Sequence, residues 1–160
     1  SVFMKGYGAF PVDRHRADVR ALNWITRMLL SEHRISIVFP EGTRNKQGIL
    51  MRGQPGLAHI AMSTGVPVIP FALTGSENLQ NPIKVFKPTA TLRLKIGKPF
   101  IASRVEGSAA RRKAAAVTTE TMVRIARMLP EDKRGAYTDK CGIELKETSD
   151  FTWSTSEVFV

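Results

Sequence analysis

The sequence of 160 residues has a single cysteine, Cys141. One thiol forms no intramolecular disulfide and no four-cysteine zinc site, so the fold has to stand on its core. Acidic side chains are scarce, with fourteen Asp and Glu against twenty-four Lys and Arg, a formal charge of +10 and a pI near 10.3. Long apolar runs are missing too. The best, Val66 to Leu73, carries Pro67 and Pro70 and falls far short of the roughly 18–20 residues a membrane-spanning helix needs. No signal-peptide pattern is visible. Histidine is limited to His15, His33 and His59. None stands in an HExxH pattern, and there is no EF-hand or P-loop string, so no metal site is expected.

What is present fits one folded domain. The chain is 42% apolar and 24% charged, the proportions of a globular chain rather than a disordered one. The positive balance attracts anions: nucleic acid, anionic lipid headgroups or phosphorylated small molecules. It does not choose among them. The tightest basic cluster, Arg111-Arg112-Lys113, lies in an alanine-rich stretch and reads as a solvated helix face.

The hydrophobic pattern alternates between periods. Leu22, Ile25 and Leu29 recur at helical spacing and predict a helix from Ala17 to about Glu32. Ile35 to Phe39 is a β-branched and aromatic run that predicts a buried strand. Gly56 to Thr64 predicts a short helix closed by Gly65. Val66 to Leu73 predicts a second apolar strand, whose prolines place it near an edge or confine pairing to its middle. Thr91 to Ile96 alternates as a half-exposed strand does. Ser108 to Leu129 predicts a long helix with Val117, Thr121, Ile125 and Met128 in one stripe, stopped by Pro130. The polar segment from Glu131 has no predicted element. This order points to an α/β layer fold around a largely buried sheet.

The stretch most suited to chemistry is Phe39-Pro40-Glu41-Gly42-Thr43-Arg44, directly after the first predicted strand. Ligands tend to bind at strand ends in α/β sheets. Gly42 permits close backbone approach, Thr43 offers a hydroxyl, and Arg44 offers a planar fork suited to phosphate or carboxylate. Glu41 is placed to orient such a cation or a substrate hydroxyl. An ordinary turn is the bland alternative for the same residues. Upstream, Gly8-Ala9-Phe10-Pro11-Val12-Asp13-Arg14 is another strand-to-turn element ending in arginine. Arg14 and Arg44 converging on one phosphate is one reading; a surface ion pair of Arg14 with Asp13 or Asp18 is the other.

These strings resemble the glycerophospholipid acyltransferases, most closely the 1-acyl-glycerol-3-phosphate (lysophosphatidic acid) acyltransferases. Gly8 to Arg14 is similar to the family's second block. Phe39 to Arg44 matches its third block, Phe-Pro-Glu-Gly-Thr-Arg, without a mismatch. Val66-Pro67-Val68-Ile69-Pro70 matches its fourth. A softer match to a family ending runs from Leu129-Pro130 to Arg134-Gly135-Ala136-Tyr137. The resemblance implies a glycerolphosphate acyltransferase-like fold, with a central, mostly buried mixed sheet flanked by helices. It implies transfer of an acyl chain from an acyl-CoA or acyl carrier protein thioester to the 2-hydroxyl of lysophosphatidic acid, giving phosphatidic acid. The thioester is a cosubstrate, so no tightly held cofactor is expected. Arg14 and Arg44 would bind the acceptor phosphate. Gly8, Phe39, Gly42 and Thr43 would belong to the substrate site, Glu41 would support catalysis, and Pro67 would support the acyl end of the cleft.

The family's first block, His-x-x-x-x-Asp, supplies the catalytic base, and it is absent here. Five residues after the three histidines stand Arg20, Val38 and Thr64, none acidic. Only seven residues precede Gly8, so the expectation is an N-terminally truncated acyltransferase domain over 1–140, inactive by itself, followed by an unassigned tail over 141–160. An anionic membrane surface at the cytoplasmic face is the expected partner, because the acceptor lives in the bilayer. No specific nucleic-acid partner is expected. The competing reading is a non-enzymatic basic module that binds anionic lipid or nucleic acid.

Overall fold

The computed structural model describes residues 19–31, 34–43, 45, 47–76, 91–105 and 109–152. The chain divides into two compact units, residues 1–38 and 39–160.

In the first unit, α1 (Val19–Ser31) is free of glycine and proline. Arg20, Asn23, Arg27 and Leu30 are exposed, while Ala21 is buried and Leu22, Ile25, Met28 and Leu29 are at least half covered. That split is the amphipathic spacing read from the sequence. The run that follows corrects the prediction. Residues 34–39 form neither strand nor helix, and Ile35 is 94% exposed. A buried strand needs a ladder partner beside it and cover on both faces. No described strand forms a ladder with this run, so its β propensity alone does not bury it.

The second unit is built around α3 (Ala109–Met128). Val117, Met122, Val123 and Ala126 are fully buried. Burial of a valine or methionine side chain contributes roughly 1.5–3 kcal/mol, and of an alanine methyl about half the lower figure. One end of α3 meets α2 (Gly56–Thr64), where Ala58, Ala61 and Met62 join Ala114, Val117 and Ala102 in one cluster. Small residues let the two helices approach closely. Gly65 ends α2 in the left-handed region at φ +69°, with its N–H on the Ala61 carbonyl at 2.9 Å. The other end of α3 carries Leu50, Ala72, Leu129 and Tyr137 in a second cluster.

Two small antiparallel sheets border the helices. β1 (Phe71–Thr74) pairs with β2 (Arg93–Ile96), with Phe71 opposite Ile96 and Leu73 opposite Leu94. β3 (Phe100–Ala102) pairs with β4 (Thr148–Asp150). The architecture is therefore mixed α and β, but the central, mostly buried mixed sheet is corrected: the described strands form two antiparallel pairs. Of the strand predicted over Val66 to Leu73, only the part from Phe71 onward is a strand, and the Val66–Pro70 string precedes it. Val68, held between Pro67 and Pro70, exchanges both backbone hydrogen bonds with Phe100, at 2.8 and 2.9 Å. Neither proline has an N–H to extend that bridge. The half-burial expected for Thr91 to Ile96 is corrected as well, since every residue of β2 is exposed. Ala72 of β1 packs on α3, whereas the opposite face, with Phe71, Leu73, Leu94 and Ile96, is left largely open.

Residues 131–150 carry regular elements despite their polar composition. Two 3₁₀ turns, Glu131–Lys133 and Gly135–Lys140, lead to β4. Residues 141–152, set apart in the sequence as tail, thus include a strand that pairs with β3. Long polar side chains of α3 hold this segment. Arg127 donates to the carbonyls of Cys141 and Ile143, at 2.8 and 2.7 Å. Arg124 donates to Asp150 at 2.6 Å and to the Thr148 hydroxyl at 3.2 Å, while its guanidinium stacks 4.7 Å from the Phe100 ring centre.

The hydrogen bond from Arg124 holds the Asp150 carboxyl below its ordinary value; desolvation opposes this, and the charges of Arg124 and Lys98 add to it. A lowered folded-state value means the contribution is complete above the unfolded value and is lost as pH falls through the folded one. The stability gap between the wild type and Asp150→Asn should therefore be constant above about pH 5 and close in acid below the ordinary carboxylate range. The gap should be small, under about 1 kcal/mol, because Asp150 is half exposed. Thermal melts of both proteins across that range check this, and a gap that widens in acid would contradict it.

Candidate functional site

The described part of the Phe39–Arg44 string, Phe39 to Thr43, forms the start of a closed loop. The Gly42 N–H meets the Phe39 carbonyl at 3.1 Å and makes a tight turn. Gly42 has φ +68°, and a β-carbon there would lie 3.1 Å from Gln54 Cγ. Both facts favour glycine. The Gln54 N–H donates to the Pro40 carbonyl at 2.7 Å and closes the loop at its neck. Phe39 lies edge-on to Phe71, with ring centres 6.4 Å apart, yet is mostly exposed. Thr43 is exposed.

Glu41 braces this loop from within. Its Oε2 accepts the Met51 N–H at 2.9 Å and the Asn45 amide at 3.0 Å. Asn45 in turn donates to the Ile49 carbonyl at 2.6 Å and accepts from the N–H groups of Gln47 and Gly48, at 3.0 Å each. The second Glu41 oxygen takes no hydrogen bond from a described residue. That oxygen is left open, while Oε2 sets the loop.

The far side of the loop is anchored on the C-terminal half. Leu50 is buried, and its N–H donates to the Lys133 carbonyl at 2.9 Å. The Gly53 N–H donates to the Tyr137 hydroxyl at 2.9 Å. A β-carbon on Gly53 would sit 2.6 Å from Met122 Cγ and 2.9 Å from Thr118 Cγ2, so glycine lets the backbone lie directly on α3. Gly135, at φ +53°, accepts the opposite approach, since a β-carbon there would run into the Leu50 carbonyl. Between these two pinned amides stands Arg52, exposed and without an ion-pair partner among the described residues.

The expected site residues therefore separate into three groups. Phe39, Glu41, Gly42 and Thr43 lie together in one braced turn. Pro67 is half-buried beyond α2, beside the Val68 bridge, and no described hydrogen bond joins it to the loop. Gly8, Arg14 and Arg44 lie outside the described residues, as do His15 and His33. Asn45, Arg52 and Gly53 escaped the sequence reading, and Tyr137 entered it only through the soft match to a family ending, without its contact to the loop. Asn45 was legible as a turn residue, and Arg52 as a cation next to the loop. Tyr137 gave no local signal, because its partner is 84 positions away. A shallow depression of about 690 Å³ on the other side of the unit, lined by Lys98, Arg124, Arg127 and Asp150 among others, is less suited to a ligand. Both its arginines already serve backbone and carboxylate partners. Among the described residues no cluster of His, Cys, Asp or Glu is arranged to hold a metal, and no helix is long and apolar enough to cross a membrane.

Residues 1–74, which include the whole loop and the Val66–Pro70 string, match the family model of the acyltransferases. The resemblance to that family holds over this segment. The related curated proteins carry a more particular name. The 1-acyl-sn-glycerol-3-phosphate acyltransferase of Cocos nucifera is 37% identical over 61 residues, which cover 38% of this chain and 20% of that protein. That of Haemophilus influenzae is 42% identical over 53 residues, covering 32% and 22%. The alpha enzyme of Homo sapiens is 29% identical over 73 residues, covering 44% and 26%. The matched stretch thus spans about a fifth to a quarter of these relatives. No solved structure matches the chain.

Proposed function

We propose that this chain is the acceptor-binding part of an enzyme that acylates the 2-hydroxyl of lysophosphatidic acid and yields phosphatidic acid for phospholipid synthesis. The observation that carries the reading is the Phe39–Arg44 loop, an unbroken family string inside the segment similar to acyltransferases. In this reading Arg14 and Arg44 bind the acceptor phosphate as guanidinium forks. Gly42 keeps the turn tight, and the free oxygen of Glu41 orients a cation or hydroxyl. The acyl carbon of a CoA or carrier-protein thioester is attacked by the acceptor oxygen, the C–S bond breaks, and the thiol leaves. The hydroxyl proton needs a base, and no His-x-x-x-x-Asp occurs in the 160 residues. Positioned general bases contribute about 10²–10⁴ in rate, so the chain alone should turn over negligibly. The enzyme would work at the cytoplasmic membrane face, where a basic surface meets anionic lipid.

The test compares this chain with a form that carries a His-x-x-x-x-Asp block upstream of residue 1, using lysophosphatidate with acyl-CoA and with acyl carrier protein. The longer form should make phosphatidate, and Arg44→Ala in it should raise the acceptor KM by about tenfold or more through loss of a charge-assisted bond. Brisk turnover by the 160 residues alone would overturn the inactivity. A longer form that ignores lysophosphatidate but binds anionic vesicles or RNA with steep salt dependence would favour the basic binding module instead.

A further inference from the structure

The softest of the sequence matches, Arg134-Gly135-Ala136-Tyr137, lies against the far side of the candidate loop. Three independent features converge there. The Tyr137 hydroxyl accepts the Gly53 N–H at 2.9 Å. The Lys133 carbonyl accepts the Leu50 N–H at 2.9 Å. Gly135 leaves room for the Leu50 carbonyl that a side chain would displace. The Tyr137 ring is buried in the core cluster with Leu50 and Met122, so its hydroxyl is delivered from a fixed base. On the loop side, Met51 and Gln54 flank the clamped stretch. Their N–H groups bind Glu41 and the Pro40 carbonyl, which frame the Glu41-Gly42 turn. The chain of contacts runs Tyr137, Gly53, then Met51 and Gln54, then Glu41 and Pro40.

We propose that the Gly135–Lys140 turn is a clamp on the acceptor loop, and that Tyr137 is a positioning residue for acceptor binding, acting through Gly53 without touching substrate. The inference rests on the reading of residues 39–44 as the acceptor-binding loop. Its consequence is that the segment beyond the matched 74 residues sets how well the loop engages a phosphomonoester. The hydroxyl is the only group Tyr137→Phe removes, and the ring keeps its place in the core.

The test has a mechanical arm and a ligand arm, both on the 160-residue chain. In the wild type, the amides of Gly42, Met51, Gly53 and Gln54 should exchange hydrogen as one unit, with protection agreeing within about tenfold. Tyr137→Phe should speed all four by about tenfold, the equivalent of one lost hydrogen bond, while the amides of Val68 and Phe100 keep their wild-type rates. General destabilisation would move those two as well, so it is told apart from the clamp. Acceleration confined to Gly53, or wild-type protection scattered widely among the four, overturns the clamp even where the variant fails to fold. In the ligand arm, short-chain lysophosphatidate should bind Tyr137→Phe about fivefold more weakly or worse. Unchanged affinity alongside wild-type binding overturns the positioning role. Coupled exchange in a chain whose wild type binds no lysophosphatidate upholds the clamp and removes the acyltransferase reading.

Discussion

Glu120→Ala should be among the most destabilising single substitutions in this chain. Glu120 is 6% exposed, in the middle of α3. Its carboxylate accepts the N–H groups of Lys146, Glu147 and Thr148 at 2.7, 2.9 and 2.8 Å, and the Thr148 hydroxyl at 2.8 Å. No cation is needed, because successive backbone donors surround the charge as they do at an anion-binding nest. Truncation strands the two buried Thr148 donors and opens the half-buried N–H groups of Lys146 and Glu147, and each unsatisfied buried group costs about 1–3 kcal/mol. The expected loss is roughly 3–5 kcal/mol, and at about 2–4 °C per kcal/mol for a chain of this size Tm should fall by about 10 °C. Glu120→Gln should recover little, since one oxygen becomes a donor facing donors. Limited proteolysis should cut first between residues 143 and 150, where the strand is no longer tethered. A melt within 2 °C of the wild type would show that water replaces the carboxylate at no cost.

Glu120 also shows why part of this molecule was hidden in its sequence. A lone glutamate in an alanine-rich helix reads as a solvated residue, and its partners lie 26 to 28 positions downstream. The same holds for Tyr137 and Gly53. By contrast, α2 and its Gly65 cap were legible, because a short apolar stretch and the glycine that ends it are local signals. So was α3, bounded by Pro130. Its burial on nearly every side was not, because the loop after Phe39 and the segment after Pro130 both wrap it. Ile35–Phe39 failed in the opposite direction. A β-branched run states a propensity, and burial depends on neighbours that the run does not contain. The loop itself was readable as a motif down to its residue types. Its geometry was not: the sequence offers Glu41 as a chemical group, while the structure commits one of its oxygens to the backbone of Met51.

Phe100→Ala should have an effect comparable to the loss of Glu120, through a different cause. Phe100 is fully buried and opens β3. Its backbone holds the Val68 bridge on one side and pairs with Asp150 on the other, and its ring carries the Arg124 guanidinium. Truncating a buried phenylalanine costs about 3–5 kcal/mol, including the cavity left behind. Loss of the guanidinium contact adds roughly 0.5–2 kcal/mol. The Tm should drop by about 10–15 °C at roughly 2–4 °C per kcal/mol. Phe100→Leu separates the two contributions, because it restores most of the volume but offers no ring face to Arg124. It should recover more than half of the loss. The consequence for the site follows from the bridge. Val68 belongs to the Val66–Pro70 string, and its two bonds to Phe100 fix that string's backbone between Pro67 and Pro70, which have no N–H to donate. The Val68 amide should therefore lose protection in Phe100→Ala, whereas the Gly53 amide, held by Tyr137, should exchange only as fast as the lower global stability dictates. Equal selective loss at both amides would mean that the loop and the proline string form one cooperative element rather than two separately anchored ones.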